Sequence, residues 1–137
     1  MSEAPLAELN LKGVNLSSIN LLGAALYNTD LREANLQDTH LVRADLSAVN
    51  AAGATLSRSD LRGADLHRAN FEGADLHDTD MFRADLRETN IAQANLSAAR
   101  LDEVTNLTQT QLDSAIIDAK ATLPDGLTRP AQQQRRT

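Results

Sequence analysis

The chain of 137 residues has no cysteine and no tryptophan, and its aromatic side chains are limited to Tyr27, Phe71 and Phe82. Without cysteine there is no disulfide staple and no thiolate metal or redox site. A globular core of this size ordinarily relies on aromatic and branched side chains, yet here the 42% hydrophobic content is mostly Leu and Ala. Something other than irregular packing must order that material. There is also no apolar run long enough to span a bilayer, and Met1–Asn10 lacks a basic stretch followed by an apolar one. The chain is therefore read as soluble, unprocessed and cytoplasmic, with no membrane partner.

Basic residues are in deficit: 13 Lys and Arg face 19 Asp and Glu, a net charge of −6. From Met1 to Glu103 there are 16 acidic and 9 basic residues, giving −7; from Val104 to Thr137 there are 3 and 4, giving +1. Such a balance opposes direct binding to nucleic acid or anionic lipid. No Gly-rich phosphate-binding signature occurs, and no cofactor is expected.

What the chain does have is a period. A bulky apolar residue recurs every five positions from Leu6 to Leu101, through twenty consecutive units, sixteen of them centred on Leu and the others on Ala51, Phe71, Met81 and Ile91. Two residues before the centre the side chain is small almost everywhere, most often Ala; one residue before, fifteen units carry Asn or Asp. Gly13, Gly23, Gly53, Gly63 and Gly73 each fall two after a centre. A period of five matches neither a helix nor an alternating strand. A chain that turns a corner every five residues can point each Leu and Ala inward, with Asn, Asp and Gly expected to form the corners. Four sides then close a square coil of 20 residues, and about five coils at ~4.8 Å spacing make a rod on the order of 24 Å long.

The units Ala34-Asn35-Leu36, Ala44-Asp45-Leu46, Ala64-Asp65-Leu66, Ala74-Asp75-Leu76 and Ala84-Asp85-Leu86 resemble those of the pentapeptide-repeat family, over about residues 4 to 103. The resemblance implies an all-β fold, a right-handed quadrilateral parallel β-helix. Residues 1–103 are assigned to it, 104–123 to a C-terminal helical cap and 124–137 to a flexible tail.

In that register, residues 20 apart are stacked. Ala51, the one undersized centre, then lies a layer from Phe71, so a volume deficit meets a surplus; Leu46, Leu66 and Met81 complete the candidate core. Asp38, Arg58 and Asp78 form an alternating charge ladder, and Arg68 stacks on Glu88. Asp45, Asp65 and Asp85 form an acidic strip, read chiefly as the repeat's own corner residue and alternatively as a phosphate mimic. The side of Leu21, Leu41, Leu61, Met81 and Leu101 differs: its outward residues include Leu22, Val42 and Phe82 interleaved with Arg43, Arg62 and Arg83. An exposed apolar patch rimmed by Arg is a candidate partner-binding face.

Both ends of such a stack need covering. Thr108-Gln109-Thr110-Gln111 fits a capping box, and Leu112, Ala115, Ile116 and Ala119 follow at helical spacing, which predicts an amphipathic helix over 108–121 with Ile117 off its apolar stripe. Pro124 and Gly126 mark its stop, and 128–137 is expected to be disordered. At the other end Leu9, Val14 and Ile19 replace the usual small residue, so that end is covered either by Ala4-Pro5-Leu6 or by a second molecule, which would make a head-to-head homodimer.

Chemistry has little foothold. His67 and His77 fall on opposite sides of the rod and cannot share a metal, and His40 stacks near Asn20 and Asp60 in no catalytic constellation. A rod filled with Leu is expected to offer no concave pocket for paired carboxylates. The reading is a non-catalytic scaffold that binds a protein partner the sequence does not identify. The alternative comes from the resemblance: some pentapeptide-repeat proteins imitate duplex DNA and bind type II topoisomerases, protecting DNA gyrase from quinolones.

Overall fold

The computed structural model describes residues 5–130, and the polypeptide winds as a four-sided parallel β-solenoid. Parallel bridges join residues 20 apart, from Pro5↔Ala25 without interruption to Asp85↔Thr105. The residue just before each centre makes the bridge. Asp30, for instance, donates its N–H to the Leu9 carbonyl (2.9 Å) and accepts at its own carbonyl from Leu11 N (2.8 Å). Each side is thus a single bridge, and the stack of bridges is the sheet.

The corners fall where the expected Gly residues stand, but not at the Asn and Asp also expected there. They are made by the two residues after each centre, not by the Asn or Asp before it. The Leu21 carbonyl accepts from Ala24 N (2.9 Å), and the second turn residue has positive φ at every unit from Glu8 (61°) to Ala98 (58°). Positive φ at that place alone is the mark of a type II turn. Glycine fills it at Gly13, Gly23, Gly53, Gly63 and Gly73, but ordinary residues fill it more often, at a strain of about 1 kcal/mol or more each. The Asn or Asp side chain spans the corner from outside: Asn20 Oδ1 accepts from Leu22 N (3.1 Å), Asp45 Oδ1 from Ser47 N (3.0 Å), and Asn95 Oδ1 from Ser97 N (3.0 Å). Their frequency in the repeat therefore reflects side-chain bonding to the turn rather than their own backbone conformation.

Inside, Leu46, Ala51 and Leu66 are fully buried, with Phe71 and Met81 at 1% exposure. The small position tolerates Ser and Thr because the rod supplies acceptors: Thr39 Oγ1 donates to the Leu36 carbonyl (2.8 Å) and Ser59 Oγ to that of Leu56 (2.6 Å). Ser57 Oγ, at an outward position yet buried, finds no partner among the described residues.

At the C-terminal end the helix α1 spans Gln109–Ser114 only, much less than 108–121. The capping box is present: Thr108 Oγ1 accepts from Gln111 N (3.2 Å), and Thr108 N donates to Gln111 Oε1 (2.8 Å). Gln111 Nε2 also donates to the carbonyls of Leu86 (2.8 Å) and Thr89 (2.9 Å), tying the helix to the last coil. Beyond Ser114 the chain goes back to solenoid pairing, with bridges Asn95↔Ile116 and Arg100↔Thr122. The reason is the open edge above: Ile116 N donates to Ala94 O (2.8 Å) and Leu96 N to Ile116 O (2.7 Å), groups a continued helix would leave unpaired. Ile116 consequently points outward at 39% exposure, while Ile117 is fully buried, reversing the assignment made from helical spacing. Leu112 is buried as expected.

Residues 124–130 are not a loose tail. Leu127 packs against the core, Thr128 and Gln109 exchange hydrogen bonds (2.7 and 3.0 Å), and Arg129 donates to the carbonyls of Asp118 (3.0 Å) and Ala119 (3.1 Å), and to that of Ala121. The remainder of the expected disorder, 131–137, lies outside the described residues, as do Met1–Ala4 of the suggested plug.

Candidate functional site

Because each inward residue is consumed by packing, functional groups can stand only on the four outward sides and the two ends. The side centred on Leu21, Leu41, Leu61, Met81 and Leu101 carries the candidate partner face. Leu22, Val42 and Phe82 are half-buried there, so the patch is less exposed than its composition predicts. Its focus is Phe82, whose ring has the Arg83 guanidinium 5.1 Å and the Arg100 guanidinium 4.5 Å from its centroid. Arg62 is held in a two-pronged bond to Asp60 (2.8 and 2.7 Å), which pulls the Asp60 carboxyl below its ordinary range. Arg100 is bound by Asp102 at 3.1 Å and lies 3.7 Å from Asp80. Arg43 and Arg83, in contrast, have no carboxylate within salt-bridge distance among the described residues. The Arg43 stem runs over Gly63, its Cγ 3.2 Å from where a Cβ would stand there. A side chain at that corner would displace it.

Around the adjacent corner stands the acidic strip. Asp45, Asp65 and Asp85 are joined in consecutive coils by direct bridges. Every one of the three is engaged: Asp45 with the Ser47 hydroxyl (2.6 Å), Asp65 with His67 Nδ1 (2.7 Å), Asp85 with Asn106 Nδ2 (2.9 Å). At Asp85 partial burial raises the carboxyl pKa, but the Asn106 amide and the Arg87 backbone outweigh it and the net shift is downward. At this spacing three bare carboxylates would repel by about 0.9 kcal/mol per neighbouring pair in water; these local donors offset that.

The opposite side repeats the Asp-Leu-His unit. His77 Nδ1 lies 2.7 Å from Asp75 Oδ1, as His67 does from Asp65. Neither joins a group of three metal-ligating side chains, and none occurs among the described residues. Contrary to the expectation of a wholly convex surface, Asp75, His77, Asp78, Asn95, Ser97, Ala98, Asp118 and Lys120 line a groove of about 440 Å³, wide open to solvent. The ladder Asp38–Arg58–Asp78 is realised at one rung, Arg58 to Asp38 (3.0 and 3.2 Å), while Asp78 lies 3.7 Å from His77 Nε2. Arg68 bonds Glu88 (3.1 Å) as the stacking predicts. His40 is exposed.

A further ion pair stands outside the residues expected to be functional. Asp30 and Arg32 form a two-pronged pair (2.9 and 2.7 Å), and the Arg32 side chain, with its backbone N–H, lowers the Asp30 carboxyl to about 2. The signal was available: an acid just before a centre and a base just after it both face outward across one turn.

A solid parallel β-solenoid of four short sides per turn, bearing its polar chemistry outside, defines the class of this molecule. The chain belongs to the pentapeptide repeat family, whose model matches in 8 copies over residues 10–47, 39–78 and 79–117; that membership implies the right-handed sense of the winding. Among solved structures it is similar to the pentapeptide repeat protein Rfr23 from the cyanobacterium Cyanothece 51142, at 28% identity over 85% of this chain and 88% of that one, with a TM-score of 0.55. It also resembles a pentapeptide repeat protein of the Arabidopsis thaliana thylakoid lumen, at 28% identity over 66% of each chain and a TM-score of 0.46. The plasmid-mediated fluoroquinolone resistance protein QnrB1 matches at 14% identity over 94% of this chain and 79% of that one, with a TM-score of 0.38. No curated protein sequence matches. Among the described residues no helix is long and apolar enough to cross a membrane.

Proposed function

We propose that this protein is a non-catalytic scaffold whose Phe82 side docks a protein partner. The observation that carries this reading is Phe82 with the Arg83 and Arg100 guanidiniums against its ring, on the side that also carries Val42 and Arg43 two coils away, Arg43 and Arg83 having no carboxylate within salt-bridge distance among the described residues. An aromatic anchor with adjacent Arg is the composition enriched at interface centres. The rod contributes rigidity: each side is fixed by hydrogen bonds to the coils above and below, so little ordering is needed on binding. The occupied interior, and a groove open along its length, favour display over catalysis. Affinity capture with the wild-type chain, with Phe82→Ala and with Val42→Ser is the test. Loss of the same captured protein in the variants, with unchanged circular dichroism, supports the reading, and equal recovery removes it.

A second reading rests on the three stacked carboxylates at Asp45, Asp65 and Asp85: a phosphate-like strip that binds a type II topoisomerase. Their engagement with Ser47, His67 and Asn106 weakens it, because those donors take Oδ1 of each carboxylate and leave only Oδ2 to a partner. A DNA gyrase supercoiling assay decides, since a mimic inhibits or gives quinolone protection at micromolar protein and a plain scaffold does neither.

A further inference from the structure

The two ends of the rod are unequal. In the last full coil Leu86, Ile91, Leu96 and Leu101 are at most 2% exposed beneath the cap. In the first coil Leu6, Leu11 and Leu16 are only partly buried, and Leu9 and Ile19 stand 42% and 38% exposed. The backbone is open there too. Within the rod each bridge residue turns both N–H and C=O toward the preceding coil, as Asp30 does to Leu11 and Leu9. The same groups of Asn10, Asn15 and Asn20 find no partner among the described residues.

We propose that this end binds a second copy of the chain head to head, about a two-fold axis through the corner between the Asn10 and Asn15 sides. The geometry of a spiral end requires that corner. Each side climbs about a quarter of the ~4.8 Å spacing, so Pro5, Asn10, Asn15 and Asn20 form a staircase with steps of ~1.2 Å. Only a diagonal axis matches low steps to high ones, setting Pro5 against the second copy's Asn20 and Asn10 against its Asn15. All four sides then meet at one separation, whereas an axis through the middle of a side leaves one side open or colliding.

The chemistry fits that pairing. The facing sides run antiparallel, and two residues that each present N–H and C=O are what an antiparallel hydrogen-bonded pair consists of; only Pro5, which has no N–H, gives less. Inward residues are matched as well: Leu9 faces Leu16 of the second copy, Val14 faces Leu11, and Ile19 faces Leu6. That accounts for bulk at three positions where later coils nearly always carry Ala, Ser or Thr. Charge is compatible too. The bridge position is often Asp from residue 30 onward, but it is Asn at 10, 15 and 20, so no carboxylates face each other across the junction. Amides stack well in this setting, as Asn70 Nδ2 to Asn50 Oδ1 (3.3 Å) and Asn90 Nδ2 to Asn70 Oδ1 (3.2 Å) show. The capped opposite end prevents further addition, so the assembly closes as a dimer rather than a fibre.

Light scattering on the full chain across the micromolar range is expected to give twice the chain mass, and the chain mass after Ile19→Asp with circular dichroism unchanged. A monomer throughout overturns the proposal, whether the end is covered by the residues before Pro5 or reserved for another protein. So does a dimer that survives Ile19→Asp. A second test does not depend on that variant's folding. The chain lacks cysteine, and an antiparallel bonded pair has Cα atoms ~5.5 Å apart, within disulfide reach. Mixed Asn10→Cys and Asn15→Cys proteins should therefore cross-link to each other under mild oxidation, and neither alone should do so. Self-linking of either variant, or none in the mixture, overturns the diagonal pairing.

Discussion

Exchanging Ala51 and Phe71 in size tests the packing directly. Phe71 is 1% exposed and Ala51 fully buried, and the adjoining residues Asn50 and Asn70 are bridged, so the two centres occupy successive layers of one side. Phe71→Ala deletes a buried ring, and the rigid coils cannot collapse into the space, which costs about 3–5 kcal/mol. Ala51→Leu inserts three carbons against Phe71 and costs about 1–3 kcal/mol by overpacking. Independent sites would make the double variant about 6 kcal/mol worse than wild type. If the Leu instead enters the volume the ring vacates, the pair should recover about 2 kcal/mol, a coupling typical of residues in contact. Urea unfolding followed by far-UV circular dichroism measures all four proteins, with equal slopes required because a stack of repeats can unfold in parts. A double variant whose cost equals the sum of the singles, within about 0.5 kcal/mol, would refute the volume exchange.

Three further outcomes are expected. Ala48 is exposed with φ at 56°, so Ala48→Gly should raise stability by about 0.5–1 kcal/mol as relief of left-handed strain exceeds the entropy of Gly, read as a higher urea midpoint; a lower midpoint would mean the corner is unstrained. Ser57→Ala removes a buried hydroxyl with no partner and should stabilise by about 1 kcal/mol in the same experiment, where a loss would reveal a hidden bond. Asp118 accepts from the backbone N–H of Ala98, Lys120 and Ala121; partial burial raises its pKa, but these bonds prevail and its carboxyl lies below the ordinary range. Its contribution is therefore complete above about pH 4, the unfolded value, and is lost as pH falls further. Asp118→Ala should cost about 1–2 kcal/mol at neutral pH and flatten the acid limb of a thermal-melt series, and an unchanged limb would show that other carboxylates govern it.

The winding could be read from the sequence because each side imposes one size constraint per five residues, and the centres from Leu6 to Leu101 satisfy it without a slip. The Ala51–Phe71 placement followed from stacking alone. The cap could not be read in the same way. Leu112, Ala115, Ile116 and Ala119 satisfy helical spacing, but the spacing is blind to the open edge at Ala94 and Leu96, whose groups capture Ile116 and end the helix at Ser114. On the candidate face the order of residues located Phe82, Arg43 and Arg83 but not the choice of pairs. That Arg62 turns to Asp60 and Arg100 to Asp102 depends on rotamers in a crowded row.

The four-sided winding also governs how the chain can change length. Inserting five residues at a corner would keep every Leu inward, yet it would turn everything downstream by a quarter of a revolution. Val42 and Phe82 would then lie on different sides, and the Asn50–Asn70–Asn90 amide ladder would be cut wherever the insertion fell within it. Inserting twenty would lengthen the rod and leave each side in line. Packing thus counts in fives and surface chemistry counts in twenties, so duplication of a whole turn is the neutral step by which such a rod grows, and a single-unit change is the step that rewrites its surface.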